Sequence, residues 1–298
     1  PCRAVSGRPT TLRRVRIATW NVNSVKQRIP RLLPWLEERH PDVVCLQETK
    51  LTDAAFEELL AEPLAERGYA FAHHGQGQWN GVALLSRVGL DAVERGFPGQ
   101  PDYDGRAEAR AVAATCGGVR VWSLYVPNGR EVDSDHYAYK LAWLDALAAA
   151  TVGEPELALC GDMNIAPADA DVFDPGAFSG HTHVTVPERR RLAAFGLTDV
   201  VRERWPEQRV FSYWDYRAGM FHQDLGMRID LVLASDSVAA RVRAAWVDRQ
   251  ARKGKLPSDH APVIVDLDDA PDGDIGPMVP PPSRPATRRR VTLPQGSR

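Results

Sequence analysis

The sequence predicts an α/β fold, on three observations. Short β-type runs recur along the chain, stretches with helical apolar spacing lie between them, and several runs end in polar or turn-forming clusters. The runs are nearly continuous in apolar residues, as strands buried on both faces are.

The elements follow in order. VRIATW (15–20) is the first strand and runs into the polar cluster 21–24. Ile29, Leu32, Leu33 and Leu36 then share one helical face. Pro30 suits a first helical turn, whereas Pro34 breaks the hydrogen-bond ladder, so a bent or late-starting helix is expected there. DVVCLQ (42–47) is the second strand, ending at the cluster 48–50, and Phe56, Leu59 and Leu60 mark a second helix. GVALLS (81–86) and VRVWSLYV (119–126) are further strands, the latter turning at 127–129. Tyr137, Leu141, Leu144 and Leu147 form a third helical face, capped by Ser134. ELALCGD (156–162), RIDLVLA (228–234) and APVIVDL (261–267) complete the strands. From Ala270 the chain is rich in Pro and Arg without periodicity, which predicts a flexible tail. The expected organisation is an N-terminal extension (1–14), a catalytic domain (15–268) and a tail (269–298).

With 44% apolar and 26% charged residues over 298 positions, the chain can bury a sizeable core. A formal net charge of -2 excludes a uniformly basic nucleic-acid binder, so a polyanion would have to meet a local basic face. Cys2, Cys45, Cys116 and Cys160 form no CxxC pair, which suggests neither a zinc site nor a disulfide framework and fits a reducing cytoplasm. No apolar run approaches the roughly 20 residues of a membrane span, and residues 1–14 lack the apolar core of a secretory signal.

Candidate chemistry gathers at strand ends. Glu48, Asp162, Asp230, Asp259 and His260 lie at or beside the ends of apolar runs, with Asn21, Asn23 and Asn164 similarly placed. Taken singly, Glu48 reads more readily as a helix cap or a solvated end charge, and His260 equally well as a satisfied buried histidine. Together they form an oxygen-rich set without thiolates, which suits a hard cation such as Mg²⁺ or Mn²⁺ and points to phosphate chemistry. His260 follows Asp259 in the run SDH, and Asp230 is a second acid able to hold its imidazole in one tautomer. His73, His74, His181 and His183 sit in loop-like text and are not expected to bind metal.

The ordered series ATWNVNSV, DVVCLQETK, LYVPNG, CGDMNIAP, FSYWDYR, GMRIDLVLAS and LPSDHAP resembles the exonuclease III family of apurinic/apyrimidinic endonucleases, within the endonuclease/exonuclease/phosphatase superfamily. The resemblance implies a four-layered α/β sandwich, two mixed β-sheets packed face to face with helices outside, and a site at one edge. It implies Glu48 as principal ligand of Mg²⁺ (or Mn²⁺), assisted by Asn21 or Asn23 and by Asp259. Asp162 would orient or deprotonate the attacking water, and Asn164 would fix that carboxylate or the phosphate. His260, bonded to Asp230, and Tyr125 would contact the phosphate. The implied reaction is hydrolysis of the phosphodiester 5′ to an abasic site in duplex DNA, leaving a 3′-hydroxyl, together with 3′→5′ exonuclease and 3′-end trimming. Duplex DNA with abasic sites or blocked 3′ ends would be the partner of a monomer.

The same resemblance assigns Tyr213, Trp214 and Met227 to a pocket for a flipped, base-less sugar, with Tyr216 beside them. Phosphate contacts are expected from Lys26 and Arg28, from Arg130, and from the basic runs 187–191 and 249–255. Two rivals use the same residues differently: a phosphatase of inositol phosphates or phospholipids, and a nucleic-acid-binding module without catalysis.

Overall fold

The computed structural model describes residues 14–273 and 275–282. Most of the N-terminal extension and the end of the tail therefore lie outside the described residues. The elements run β1 (Val15–Asn21), α1 (Val25–Arg39), β2 (Val43–Gln47), α2 (Asp53–Ala65), β3 (Ala70–His74), β4 (Val82–Ser86), β5 (Asp91–Arg95), β6 (Ala111–Cys116), β7 (Val119–Tyr125) and α3 (Asp135–Thr151). They continue with β8 (Leu157–Asp162), α4 (Val186–Ala194), β9 (Thr198–Asp199), α5 (Val200–Arg204), β10 (Asp230–Ala234), α6 (Asp236–Ala239), β11 (Val242–Val247) and β12 (Val263–Leu267).

Two six-stranded mixed sheets result, in the orders β11-β12-β1-β2-β4-β3 and β5-β6-β7-β8-β10-β9. Strand alternation builds four layers from them. In β1, β2 and β8, Ile17, Cys45 and Cys160 point into the core between the sheets. Their neighbours Ala18 and Leu46 face α1 and α2, packing with Leu32, Trp35, Leu36, Phe56 and Leu60. On the other side, Leu159 meets α3 through Trp143, Leu144 and Leu147. The α/β/β/α sandwich implied by the motifs is thus the one formed.

Topology brings the strand ends together. Strands β1 and β2 are parallel, as are β7 and β8, so the C-terminal ends of each pair share one edge. Strands β12 and β10 run antiparallel to β1 and β8 and therefore begin at that edge. Asp230 lies directly opposite Asp162 in the register.

Three expectations need correction. Helix α1 neither starts late nor breaks: it begins at Val25 and contains both Pro30 and Pro34. Both prolines are exposed, so the carbonyls that lose a donor face solvent, while Leu32, Trp35 and Leu36 stay packed. The tail does not leave the domain at Asp268. Val247 N donates to Pro277 O and Val279 N to Val247 O, at 3.0 and 2.9 Å, and Met278 is buried against the core. An apolar Met–Val pair within the Pro-rich text supplies this anchor. His73 and His74 lie on strand β3, not in a loop.

Burial pushes His73, His136 and His183 each down to about 4, so folding holds them neutral where the unfolded chain would protonate them. Between pH 6.5 and 4 the unfolded state binds the extra protons, so stability falls with pH across that window. Urea unfolding at pH 7, 5.5 and 4.5 should show a steadily declining midpoint, and His136→Asn should flatten the decline.

Candidate active site

Local backbone shapes the site first. Asn23, Ser24, Glu48, Lys50 and Asn164 all have positive φ, between 43° and 80°. Asn tolerates this region, but Glu and Lys do so only under constraint. The constraint on 48–50 is visible: Thr49 N and Lys50 N donate to Gly81 O and Asn80 O, and the Thr49 hydroxyl pairs with His73 Nε2 at 2.8 Å. His73 Nδ1 in turn meets Asp53 at 2.7 Å. Gly81, at φ 88°, lets the chains approach, since a Cβ there would lie 2.2 Å from the Thr49 hydroxyl. The strand end carrying Asp162 has a similar need: a Cβ on Gly161 would lie 2.0 Å from Leu124 O.

Asn21 Nδ2 donates to Glu48 at 2.8 Å and to Asp162 at 3.0 Å, joining the two sheets. Its Oδ1 accepts from Asn23 N. Asn164 N donates to Asp162 Oδ1 at 2.9 Å, and the Asn164 side chain bridges Val126 O and Asn128. Asn23 reaches Asp259 at 3.1 Å. His260 Nδ1 is 2.8 Å from Asp230, whose carboxylate also accepts from Ser212 at 2.6 Å. Its Nε2 faces Asp162 at 3.8 Å.

Charge and burial oppose each other here. Burial pushes Asp162 up, Asp230 adds to it and the His260 cation pulls it back, leaving it at about 7. For His260, burial lowers the pKa but Asp230 and Asp162 overcome it, lifting the imidazole to about 10. Burial raises Glu48, yet the Lys50 ammonium beside it brings the net shift down. Tyr125 is held far above its ordinary range by burial and by Glu48, so it remains a neutral hydroxyl.

Among the described residues, Glu48, Asp162 and His260 each offer a ligand atom, and these atoms lie within 4.8 Å of one another. Asp259 is not in that group. The Lys50 ammonium sits 2.8 Å from Glu48 and 2.7 Å from Asn23 Oδ1, so a cation already neutralises oxygens placed where a divalent ion would be attracted. The donor set is mainly carboxylate and amide oxygen, which fits a hard divalent cation.

The other predicted residues divide. Tyr213 lies against His260, with ring centres 4.9 Å apart and the planes tilted by 57°, and exchanges backbone hydrogen bonds with Met227. Met227 is buried with Ala166, Val172, Phe178 and Ile229. Trp214 is no pocket wall: it is fully buried, packed against Phe221 and bonded to Asp224. Lys26 is exposed, and Arg130 lies over the Tyr103 ring. Arg28 is largely buried and donates to Tyr216 at 2.9 Å.

The two basic runs divide, with Arg190, Lys253 and Lys255 exposed. Arg249 and Arg252 are buried, with their guanidinium groups over Phe221. In 187–191, Glu188 is buried, while Arg189 and Arg191 pair with Asp169 and Asp145. Sequence reasoning missed Arg110, which is buried, paired with Glu108 and stacked 4.8 Å from the Tyr125 ring centre. It also missed Ser212 and Lys50, although both stand inside quoted motifs.

A buried acid–histidine pair beside an acid-and-amide cluster, at the edge of two stacked sheets, defines a hydrolase of phosphate esters. The Endonuclease/Exonuclease/phosphatase family pattern matches residues 18–260. Exodeoxyribonuclease III of Haemophilus influenzae is 31% identical over 265 residues, covering 84% of this chain and 98% of its own. Among solved structures, a 3′ phosphatase from Neisseria bound to a product DNA hairpin is 38% identical with a TM-score of 0.81, covering 86% of this chain and 100% of its own. An AP endonuclease from Archaeoglobus fulgidus is 33% identical with a TM-score of 0.80 and the same coverage. The chain belongs to the Endonuclease/Exonuclease/phosphatase family, and is a hydrolytic nuclease within it.

In the metal-free protein, histidine proton shifts should keep His260 protonated through pH 8, because Asp230 and Asp162 hold its pKa near 10. Asp230→Asn should bring that titration down toward neutral pH. A His260 that loses its proton below pH 7 in the unmodified protein would contradict the described pairing.

Proposed function

We propose that this protein is a DNA repair nuclease that hydrolyses the phosphodiester 5′ to an abasic sugar in duplex DNA, leaving a 3′-hydroxyl. The same site would trim blocked 3′ ends by 3′→5′ exonuclease and phosphatase action. One observation carries the reading: Glu48, Asp162 and the Asp230-bound His260 converge within 4.8 Å. The nuclease and phosphatase relatives support the choice of DNA as substrate.

Asp162 is the base. Its pKa near 7 suits proton removal from water at neutral pH, and Asn164 N holds one carboxylate oxygen so that the other faces the site. The new O–P bond forms as the P–O bond to the 3′-oxygen breaks; the water proton goes to Asp162, and the departing 3′-oxygen takes a proton from solvent to become the 3′-hydroxyl. His260, kept cationic by Asp230, meets the negative charge growing on the phosphoryl oxygens, and Tyr125 donates its neutral hydroxyl there. Glu48 would hold Mg²⁺, or Mn²⁺, with Asn21 or Asn23 assisting it and Asp259 across the site. Bound there, the ion would neutralise phosphate charge and stabilise the departing alkoxide.

Lys26 and Arg130 supply exposed cations near the cleft for the DNA backbone, and Arg28 steadies Tyr216 at its rim. Tyr213 and Met227 form the wall beside His260 against which a base-less sugar would rest.

A labelled duplex bearing one abasic analogue should be incised at its 5′ side with Mg²⁺ and left intact with EDTA, while inositol polyphosphates are untouched. Preferential release of phosphate from the inositol compounds would sink the DNA assignment. Asp162→Asn should lower incision by about a hundredfold or more without altering the melting temperature. Glu48→Gln should weaken Mg²⁺ binding in calorimetric titration, whereas Asp259→Asn should weaken it less.

A further inference from the structure

The nitrogen of Lys140, on α3, is fully buried and surrounded by acceptors. It donates to Asn164 O at 2.7 Å, to Asn128 O at 3.1 Å and to Glu188 Oε1 at 2.5 Å. Asn128 follows Tyr125 by three residues, and Asn164 follows Asp162 by two. These carbonyls therefore belong to the two turns that leave β7 and β8 at the catalytic edge.

The ion pair itself does not explain the lysine. Glu188 already accepts from the Thr182 hydroxyl, His183 N, Thr185 N and the Thr185 hydroxyl, at 2.6 to 3.0 Å, and completes the capping box of α4. A buried ion pair is also weak evidence of net stabilisation, since apolar replacements of similar volume often do as well. Each carbonyl has a second partner, the Thr182 hydroxyl at Asn128 O and His183 Nδ1 at Asn164 O, but Lys140 is the group that bridges the two turns, with one ammonium on both carbonyls. The packing around it is tight: a Cβ on Gly129, at φ 93°, would lie 3.2 Å from Lys140 Cδ. Asn164 turns the chain at a φ of 50°, a conformation asparagine tolerates, which aims its carbonyl at the Lys140 nitrogen.

We propose that Lys140 is a positioning residue for hydrolysis, clamping the Asn128 and Asn164 carbonyls so that Tyr125 and Asp162 keep their places on either side of the phosphate. This rests on the nuclease mechanism proposed above. Displacement of a catalytic group by about 1 Å can cost on the order of a hundredfold in rate.

The test compares two variants. Glu188→Gln removes the ion pair: its one amide oxygen keeps the Thr185 cap, its NH2 replaces the oxygen that faced Lys140, Thr182 and His183 N, and Lys140, without a counter-charge, stays as a neutral amine whose two N–H groups still reach both carbonyls. Lys140→Met combined with Glu188→Gln removes the clamp without stranding a buried charge. On the abasic duplex, the single variant should keep kcat within about threefold of the unmodified protein, and the double variant should lose about thirtyfold or more with KM and Mg²⁺ affinity unchanged. Amide exchange at Val126, Gly129, Arg130 and Asn164 should quicken about tenfold or more in the double variant only, with strand amides of β7 and β8 unaffected. Equal kcat in the two variants, or unchanged exchange in the turns, overturns the clamp whatever the melting temperatures. Should the double variant unfold, Lys140→Leu with Glu188→Gln is read by the same criteria. An unmodified protein inactive on abasic DNA would defeat the functional proposal instead, and exchange would still decide the clamp.

Discussion

The site depends on one contact between the sheets: the Asn21 amide donating at once to Glu48, beyond β2, and to Asp162, at the end of β8. These carboxylates belong to different sheets, so their approach is set by how the sheets stack. Each would be costly to bury alone. The amide satisfies both, and the contact between His260 and Asp230 makes a second crossing a few ångströms away. Parallel pairing of β1 with β2 and of β7 with β8 puts these ends on one edge, and the antiparallel returns of β10 and β12 begin there.

Because the edge is buried, its charges set one another's protonation. Asp230 keeps His260 cationic, and that cation limits how far burial can raise Asp162. Lys50 does the opposite service for Glu48, holding it ionised next to Tyr125. A carboxylate poised near neutrality, a fixed cation and a neutral phenol thus stand within one cleft. Their different states come from environment rather than residue type. The turns that carry them adopt left-handed backbone at Glu48, Lys50 and Asn164, and are held there by contacts from behind, such as the Asp53–His73–Thr49 relay.

Arginine and aromatic residues behaved differently from what a linear reading suggests. Runs rich in Arg look like solvated phosphate-binding faces, yet Arg249 and Arg252 lie under Phe221, and Arg228 is fully buried between Asp171 and Asp199. A guanidinium can stack its flat face on a ring while its edge pairs with acids or carbonyls, so it enters a core more readily than its charge implies. Trp214 likewise fills the interior, and its exposed neighbour Tyr216 stands at the cleft rim.

The sequence by itself determined the strands that lead to the candidate site and the helices α1 to α3 that cover them, and it marked Glu48, Asp162, Asp230 and His260 as candidates, which the structure brings to one edge. Apolar runs ending in acids and amides are visible without coordinates, and the ordered motifs supplied the sandwich. The partly exposed strands β3, β5 and β9 escaped because their alternation is weak, β6 and β11 escaped because alanine fills much of AVAATC and VRAAWV and is a poor strand signal, and α4 was hidden behind its charges. Tertiary structure alone decided that Asn21 donates to two carboxylates, that Trp214, Arg249 and Arg252 face inward, and that Met278 returns to the core. Each depends on neighbours distant in the chain, and local pattern cannot report which face a residue will find covered.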